Sequence, residues 1–166
     1  PSIIAMEACG SSHYWARQFQ SFGHEVRLIA PQFVTPFRKG HKTDANDALA
    51  IAESAMRPGL RTVPPKNLLQ QDIQTAHRLR ELLIKQRTQL INQLHGLLQE
   101  YGIVSGRGQR ALIETMMLGL EDAENELSHT IRALFSEQLQ MLYELNQRVD
   151  RLTRQLETFA RTIEPC

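Results

Sequence analysis

The sequence predicts an α/β segment followed by an all-α segment, and three observations support this fold class. Within the first 30 residues, two apolar runs of strand length flank a stretch with helical spacing. Two consecutive prolines, Pro64 and Pro65, then interrupt the chain. Beyond them, apolar residues recur at steps of three and four almost to the end. We therefore expect a first domain over residues 1–65 and a helical region over residues 66–166.

The first segment has the pattern of one strand–helix–strand unit. Residues 2–6 form an apolar run of strand length, and residues 11–22 follow with helical spacing. Residues 26–29 suggest a second strand, which Pro31 halts. Because a helix joins them, the two strands should be parallel. Residues 31–43 are expected to form a loop.

A second helix should begin at Thr43, which can cap it, and should stop at Pro58. Residues 60–65 then supply one more extended piece. A long helix follows up to Gly102, and the last helix is expected to begin near Asp122. Apolar residues of the last helix step by three and four, as in a coiled-coil seam or a long antiparallel hairpin. They are Leu142, Leu145, Val149, Leu152, Leu156, Phe159 and Ile163.

Composition and charge narrow the class of protein. The hydrophobic fraction of 42% permits a core, and no apolar run approaches the length of a membrane span. Residues 1–120 hold 14 Lys/Arg against 9 Asp/Glu, whereas residues 121–166 hold 5 against 9. A basic first part fits a polyanion partner. With no signal segment at the start, we expect a cytoplasmic protein, and we interpret the chain as an excised piece of a longer one.

Three carboxylates are candidate metal ligands. Glu7 follows the first strand, at the edge where open α/β sheets bind ligands, although a solvated glutamate is an equal alternative. Asp44 and Asp47 share one face of a first helical turn. Mg²⁺ needs few protein carboxylates beside phosphates and waters, and two such ions can clamp a phosphodiester. The alternative is that the helix dipole alone favours aspartate in a first turn.

Two groups of basic residues could contact a nucleic-acid backbone. The first precedes the aspartate pair and contains Arg38, Lys39, His41 and Lys42. The second lies along the long helix and contains Arg78, Arg80, Lys85 and Arg87. Each group can equally be a solvated surface. Tyr14 and Trp15 are expected to pack in the helix, and Ser11 and Ser12 to cap it rather than to act as nucleophiles.

Five stretches of the sequence resemble the DEDD transposases of bacterial insertion sequences. These belong to the insertion-sequence one-ten and eleven-eleven group, which is related to the Piv invertase. The stretches are residues 6–17, 23–34, 42–48, 86–93 and 100–103. The resemblance therefore extends over most of the chain, and its early motifs are specific in combination.

The resemblance implies a RuvC-like (RNase H-like) first domain with an Asp-Glu-Asp-Asp site for Mg²⁺ or Mn²⁺. Glu7 matches the family's glutamate, and Asp44 and Asp47 match its last two aspartates. The family's first aspartate and its C-terminal domain with a catalytic serine have no counterpart here. The family further implies DNA as substrate, a structured guide RNA, and pairing of protomers through the helical region.

We therefore expect the parent protein to be a transposase or site-specific recombinase. It would carry out metal-dependent DNA strand cleavage and exchange, whereas this fragment alone would be inactive. Two alternatives stay open at this point. One is a non-catalytic module for dimerisation and nucleic-acid binding, and the other is a RuvC-like nuclease specific for branched DNA.

Overall fold

The computed structural model of the chain describes residues 1–41 and 43–162. It divides into two compact units, Pro1–Gln71 and Asp72–Cys166. Each unit contains its own cluster of buried apolar side chains. The layout of an α/β part followed by helices is confirmed, while the domain limit after Pro65 stays a prediction.

A small sheet organises the first unit. Strand β1 (Ile3–Glu7), helix α1 (Ser12–Ser21) and strand β2 (Glu25–Ile29) form the predicted unit, and the two strands pair in parallel. Strand β3 (Thr62–Val63) pairs antiparallel with the end of β2, so the strand order is β1-β2-β3. The extended piece expected before the two prolines is thus present.

Helix α1 turns its small side chains inward and its aromatic ones outward. Ser12 and Ala16 are buried, whereas Tyr14 and Trp15 are about half exposed, with Trp15 at 48%. Trp15 stacks on Phe19, with the ring centroids 5.9 Å apart. Tyr14 also contacts Trp15 edge-on, with the ring centroids 5.3 Å apart. The expectation that Tyr14 and Trp15 take part in helix packing agrees with these contacts. Small residues at the buried positions let the helix lie close to the sheet.

The segment after β2 is partly helical, so the expected loop over residues 31–43 is wrong for its first half. Helix α2 (Pro31–Val34) and a 3₁₀ turn (Thr35–Phe37) replace it. Pro31 stands at the first helical position, where its fixed φ favours a helix start. Val34 is fully buried and packs in the core of this unit. Burial of the Val34 side chain explains why this segment forms short helical turns rather than an irregular loop.

Helix α3 (Asp44–Ala55) begins where the sequence predicts it. The Thr43 hydroxyl accepts a hydrogen bond from the backbone N–H of Asn46 at 3.3 Å, which is the expected cap. Ala50 is fully buried beside Ile29, and this small contact lets the helix lie close to the sheet. Lys42, which precedes the cap, lies outside the described residues.

The second unit contains three helices, of which α4 begins just before it. They are α4 (Leu68–Gln99), α5 (Gln109–Glu121) and α6 (His129–Thr162). Side-chain bonds join Arg80 to Thr153 and Arg87 to Asn146. Seven residues forward on α4 thus correspond to seven residues back on α6. The two helices therefore form a long antiparallel hairpin, which is one of the two arrangements predicted from the sequence beside a coiled-coil seam.

The core of the second unit comes from all three helices and the link before α6. Its buried members are Leu94, Leu98, Leu112, Met116, Leu127, Phe135, Leu139 and Leu142. Later seam positions such as Leu152 and Leu156 are only half-buried, and Ile163 lies outside the described residues. Within residues 1–41 and 43–162, no helix is long and apolar enough to cross a bilayer.

Helix α6 begins at His129, so the expected start near Asp122 is wrong. The Asp122 side chain accepts a hydrogen bond from the N–H two residues further on, and Asn125 does the same. Such local bonds compete with helical ones and keep this link irregular. Ser128 then accepts a bond from the N–H of Ile131 at 3.3 Å and caps the helix.

Candidate functional site

Glu7 lies at the edge of the sheet where the parallel strands end. It is the last residue of β1, half-buried, and stands in register with Ile29. The N–H of Ala8 donates to the Ile29 carbonyl at 2.7 Å, and the N–H of Cys9 donates to the Glu7 carbonyl at 2.8 Å. These bonds fix the backbone just beyond the strand. Glu7 therefore occupies the position predicted for a ligand-binding carboxylate.

Asp44 and Asp47 both lie in the first turn of α3, as predicted. The N–H of Asp47 donates to the Thr43 carbonyl at 2.9 Å, which is a regular helical bond. Asp44 is exposed to solvent, whereas Asp47 is half-buried. The Thr43 cap orients this turn, so the two carboxylates start from a defined backbone.

Asp47 is paired with Arg38. The Arg38 Nε and the Asp47 Oδ1 lie 2.6 Å apart, and the side chains are 26% and 24% exposed. Both atoms are buried, so this ion pair is shielded from water. The pair is thus held by charge. One predicted nucleic-acid contact and one predicted metal ligand lie directly against each other.

The rest of the basic loop also folds back onto α3. Lys39 Nζ lies 3.2 Å from the Glu53 carboxylate, although the lysine side chain remains 76% exposed. The Asn46 amide donates to the His41 carbonyl at 2.8 Å. Gly40 has a φ of +78°, which favours glycine at this turn. Contacts to α3 therefore shape the whole described part of this loop.

Arg80 and Arg87 lie half-buried between the helices of the second unit. Arg80 Nε donates to the Thr153 hydroxyl at 2.7 Å, and Arg87 Nη1 donates to the Asn146 carboxamide oxygen at 3.2 Å. Both arginines thus help to hold α4 against α6. Their nucleic-acid role stays a prediction.

The donor chemistry of the predicted ligands fits a hard divalent cation, which prefers carboxylate oxygens. In this structure, however, the buried Asp47 oxygen is already paired with the Arg38 guanidinium. Across residues 1–41 and 43–162, no three His, Cys, Asp or Glu side chains lie close enough together to hold a metal ion. Glu7, Asp44 and Asp47 therefore stay predicted ligands, and the described residues do not assemble them into one cluster.

The first unit also contains a basic cluster that was not predicted from the sequence. The Lys66 N–H donates to His13 Nδ1 at 3.2 Å, and Lys66 Nζ lies 2.8 Å from His13 Nε2. Arg17 Nη1 donates to the Lys66 carbonyl at 2.7 Å. The only hint in the sequence is that His13 and Arg17 are four apart on one helix. Their partner, Lys66, lies 49 positions after Arg17 and 53 positions after His13, so no local sequence pattern predicts the contact.

Comparison with known proteins gives the family. Residues 1–103 match the family of DEDD transposases of the IS110 type, described as transposase. The chain belongs to the IS110 family of transposases. The matched range contains Glu7, Asp44 and Asp47, so the resemblance expected from the sequence is confirmed at the level of the family. No solved structure gives a significant match to this IS110-family chain.

Three relatives illustrate the similarity. A probable family 20 transposase from Pseudomonas aeruginosa is 47% identical over 165 residues, which is 97% of this chain and 48% of the relative. The transposase for insertion sequence element IS1111A from Coxiella burnetii is 37% identical over 163 residues (98% and 45%). The transposase for insertion sequence element IS1328 from Yersinia enterocolitica is 36% identical over 164 residues (99% and 46%). This IS110-family chain spans about half the length of the curated relatives it matches.

Proposed function

We propose that this chain forms the cation-binding part of a cytoplasmic insertion-sequence transposase that cleaves and exchanges DNA strands with Mg²⁺ or Mn²⁺. The observation that carries the proposal is the IS110-family match over a range that contains all three carboxylates. Two of them start a capped helix, and one ends a parallel strand. The proposal includes a RuvC-like fold for the first part of the complete protein and a structured guide RNA as partner.

Each carboxylate has a distinct role in this proposal. Glu7 offers oxygens from a rigid strand end, and half-buried Asp47 offers them from the protein side of the site. Asp44, which is exposed, can reach a cation that also contacts solvent and phosphate. A divalent ion bound there would stabilise the charge that develops on the phosphodiester. The three side chains would hold and orient it.

Basic side chains would place the DNA backbone beside these carboxylates. The proposed contacts are Arg38, Lys39, Lys42, Arg80 and Arg87. Lys39 is largely exposed and can contact phosphate while its ion pair with Glu53 opens. The excess of basic residues before position 121 supports a polyanion partner.

The catalytic proposal is tested by transposition in cells, with a transposase that contains residues 1–166. Asp44→Asn and Asp47→Asn should each reduce the frequency by more than about 100-fold, because even outer-shell changes at metal sites cost about 10- to 100-fold. Glu81→Gln is the control, since Glu81 is an exposed carboxylate on α4. Wild-type frequency in both aspartate variants would contradict the assignment.

A second candidate is a non-catalytic module that pairs protomers. It is favoured by exposed leucines on the hairpin, because Leu79 and Leu82 face solvent beside Leu83 and Leu152. These side chains line a groove of about 300 Å³. A stripe of exposed leucines on paired helices is typical of association between helical proteins. We propose a homo-oligomer formed through this region.

Light scattering tests the homo-oligomer. The chain should have the mass of a dimer, and the variant with both Leu79→Lys and Leu82→Lys should have the mass of a monomer at unchanged helicity. Leu118→Lys is the matched control, because Leu118 is also exposed but lies on α5. A wild-type chain that stays monomeric at high concentration would contradict the proposal.

A further inference from the structure

We propose that the outer face of α1 binds single-stranded DNA. The rings of Tyr14 and Trp15 would stack on bases, and the basic cluster beside them would contact phosphates. This cluster consists of His13, Arg17 and Lys66. The inference rests on the proposed function in one respect, namely that the transposase acts on DNA. None of these residues is among the three carboxylates or the five basic residues assigned above, so the surface is an additional one.

The two rings are exposed and already positioned. Tyr14 is 52% exposed and Trp15 is 48% exposed. Trp15 stacks on Phe19 with the ring planes 27° apart, so one face of the indole is covered while the other is open to solvent. Tyr14 contacts Trp15 edge-on, which restricts its ring as well. Rings held in this way lose little freedom when a base stacks on them, and every base offers a flat face for stacking.

The basic cluster is held in place through the backbone of Lys66. Its N–H donates to His13 Nδ1 at 3.2 Å, and its carbonyl accepts from Arg17 Nη1 at 2.7 Å. Lys66 Nζ then lies 2.8 Å from His13 Nε2. Among the residues that the structure describes, no carboxylate pairs with Arg17 or Lys66, whereas Arg38 and Lys39 each have one. Basic groups this close together attract a phosphate, because its negative charge offsets their mutual repulsion.

The sequence around this surface contains positive charge and no negative charge. Residues 8–24, which contain α1, hold one Lys/Arg and no Asp or Glu. Residues 54–71, which contain Lys66, hold three Lys/Arg and again no Asp or Glu. This charge is complementary to a polyanionic strand.

The order of the residues on α1 favours an unpaired strand over a duplex. Tyr14 precedes Arg17 by three positions, so a ring and a cation lie side by side on the helix. A single strand likewise presents bases and phosphates side by side. In a duplex the faces of the bases are stacked on one another, so a duplex can contact the cations but not the rings.

Binding of an oligonucleotide by the purified chain tests the inference. Trp15 is the single tryptophan, so its fluorescence reports directly on stacking. An oligothymidylate of about 12 nucleotides should quench this fluorescence at low salt, and a duplex of the same length should quench it far less. Tyr14→Ala should weaken the binding of the oligothymidylate by about 10-fold, because one stacked base is lost. Tyr14→Phe is the matched control, since it keeps the ring and should bind like the wild type.

The salt dependence of binding separates the cations from the rings. Lys66→Gln removes a charge but keeps both backbone bonds that anchor this position. The slope of the logarithm of its binding constant against the logarithm of the salt concentration should be shallower by about 0.7, as for one lost phosphate contact to a single strand. Tyr14→Ala should keep the wild-type slope. Arg110→Gln is the control for charge, because Arg110 is exposed on α5, and it should keep both the affinity and the slope.

Several results would overturn the binding surface on α1. They are wild-type affinity in Tyr14→Ala, no quenching of Trp15 by the oligothymidylate, and equal quenching by the duplex. An oligouridylate that binds more tightly than an oligodeoxyuridylate would make RNA the occupant, because the two differ only in the 2′-hydroxyl. A Trp15 emission that changes when the chain alone is diluted would show that a second copy covers the face.

These results are distinguishable from a failure of the proposed function. If Tyr14→Ala binds like the wild type while Asp44→Asn and Asp47→Asn abolish transposition, only the surface on α1 is rejected. If both aspartate variants transpose at wild-type frequency, the proposed function itself is rejected, whether or not the oligothymidylate binds.

Discussion

At the scale of single residues, Arg132 joins the end of α5 to the start of α6. Its guanidinium donates to the carbonyls of Leu127, Gly119 and Leu120 and to the Asn125 side-chain oxygen. Gly119 and Leu120 lie in the last turn of α5, where carbonyls have no helical partner. A cation at this end also complements the helix dipole. One half-buried side chain therefore stabilises a helix end and the link that follows it.

Replacing Arg132 with alanine should destabilise the second unit by about 2–3 kcal/mol, because carbonyls in a half-buried setting lose a charged donor. Urea unfolding followed by circular dichroism measures this. Arg110→Ala is the control, since the Arg110 side chain is exposed and pairs with Glu114, one turn away on the same helix. That hydrogen bond raises the pKa of the Arg110 guanidinium, but an exposed pair contributes little. Equal midpoints for the two variants would contradict the role of Arg132.

At the scale of elements, the α4–α6 hairpin needs specific interactions that fix the register of its two helices. Leucines at heptad steps can pack in several registers that differ by one heptad. The bonds from Arg80 to Thr153 and from Arg87 to Asn146 are one heptad apart on both helices. If the helices slipped by seven residues, one arginine would face the other arginine's partner, and the second arginine would face neither Thr153 nor Asn146. The polar pairs thus specify an alignment that the apolar pattern leaves open.

A double-mutant cycle on Arg87→Ala and Asn146→Ala should give a coupling energy of about 1 kcal/mol in the free energy of unfolding. Additive effects would show that the bond contributes nothing.

The same variants test the nucleic-acid prediction in a DNA-binding assay. If Arg87 contacts phosphate, Arg87→Ala should weaken binding, whereas Asn146→Ala should not. Equal affinity for both variants and the wild type would leave Arg87 with its structural role alone.

At the scale of the whole molecule, the two units differ in the size of their cores. The first unit has three fully buried apolar side chains in its cluster, Ile29, Val34 and Ala50. The cluster in the second unit has eight buried members. Apolar burial is the main stabilising contribution to folding, so the first unit should be the less stable of the two.

The two units should therefore unfold in separate transitions. Trp15 fluorescence reports on the first unit and should change at a lower urea concentration than the helical circular dichroism, which the second unit dominates. Leu142→Ala tests the assignment, because Leu142 is fully buried in the second core. It should lower only the second midpoint, because it should reduce the free energy of unfolding of the second unit by about 2–5 kcal/mol. Coincident transitions for both probes would contradict this independence.

The elements whose signals are local were predictable. Thr43 caps α3 through a bond that spans three residues, and the strand–helix–strand unit follows from apolar spacing. The places of Glu7, Asp44 and Asp47 in the fold were predictable because strand ends and first helical turns can be located from sequence. Their role as metal ligands stays a prediction. The start of α6 was missed, because several polar residues before it could each begin a helix. Only the bonds at Asn125 and Ser128 select one of them.

The sequence by itself determined the fold class, the candidate carboxylates and the family, because each depends on nearby residues or on a string of matched positions. The tertiary structure decided which of these residues meet. Arg38 and Asp47 were expected to bind different ligands, yet the folded 3₁₀ turn brings them to 2.6 Å. Arg80 and Arg87 were expected to contact a nucleic-acid backbone or to lie on a solvated surface, yet α6 lies against them. The physical reason is that such pairs are set by the packing of elements far apart in the chain, and no local pattern encodes that distance.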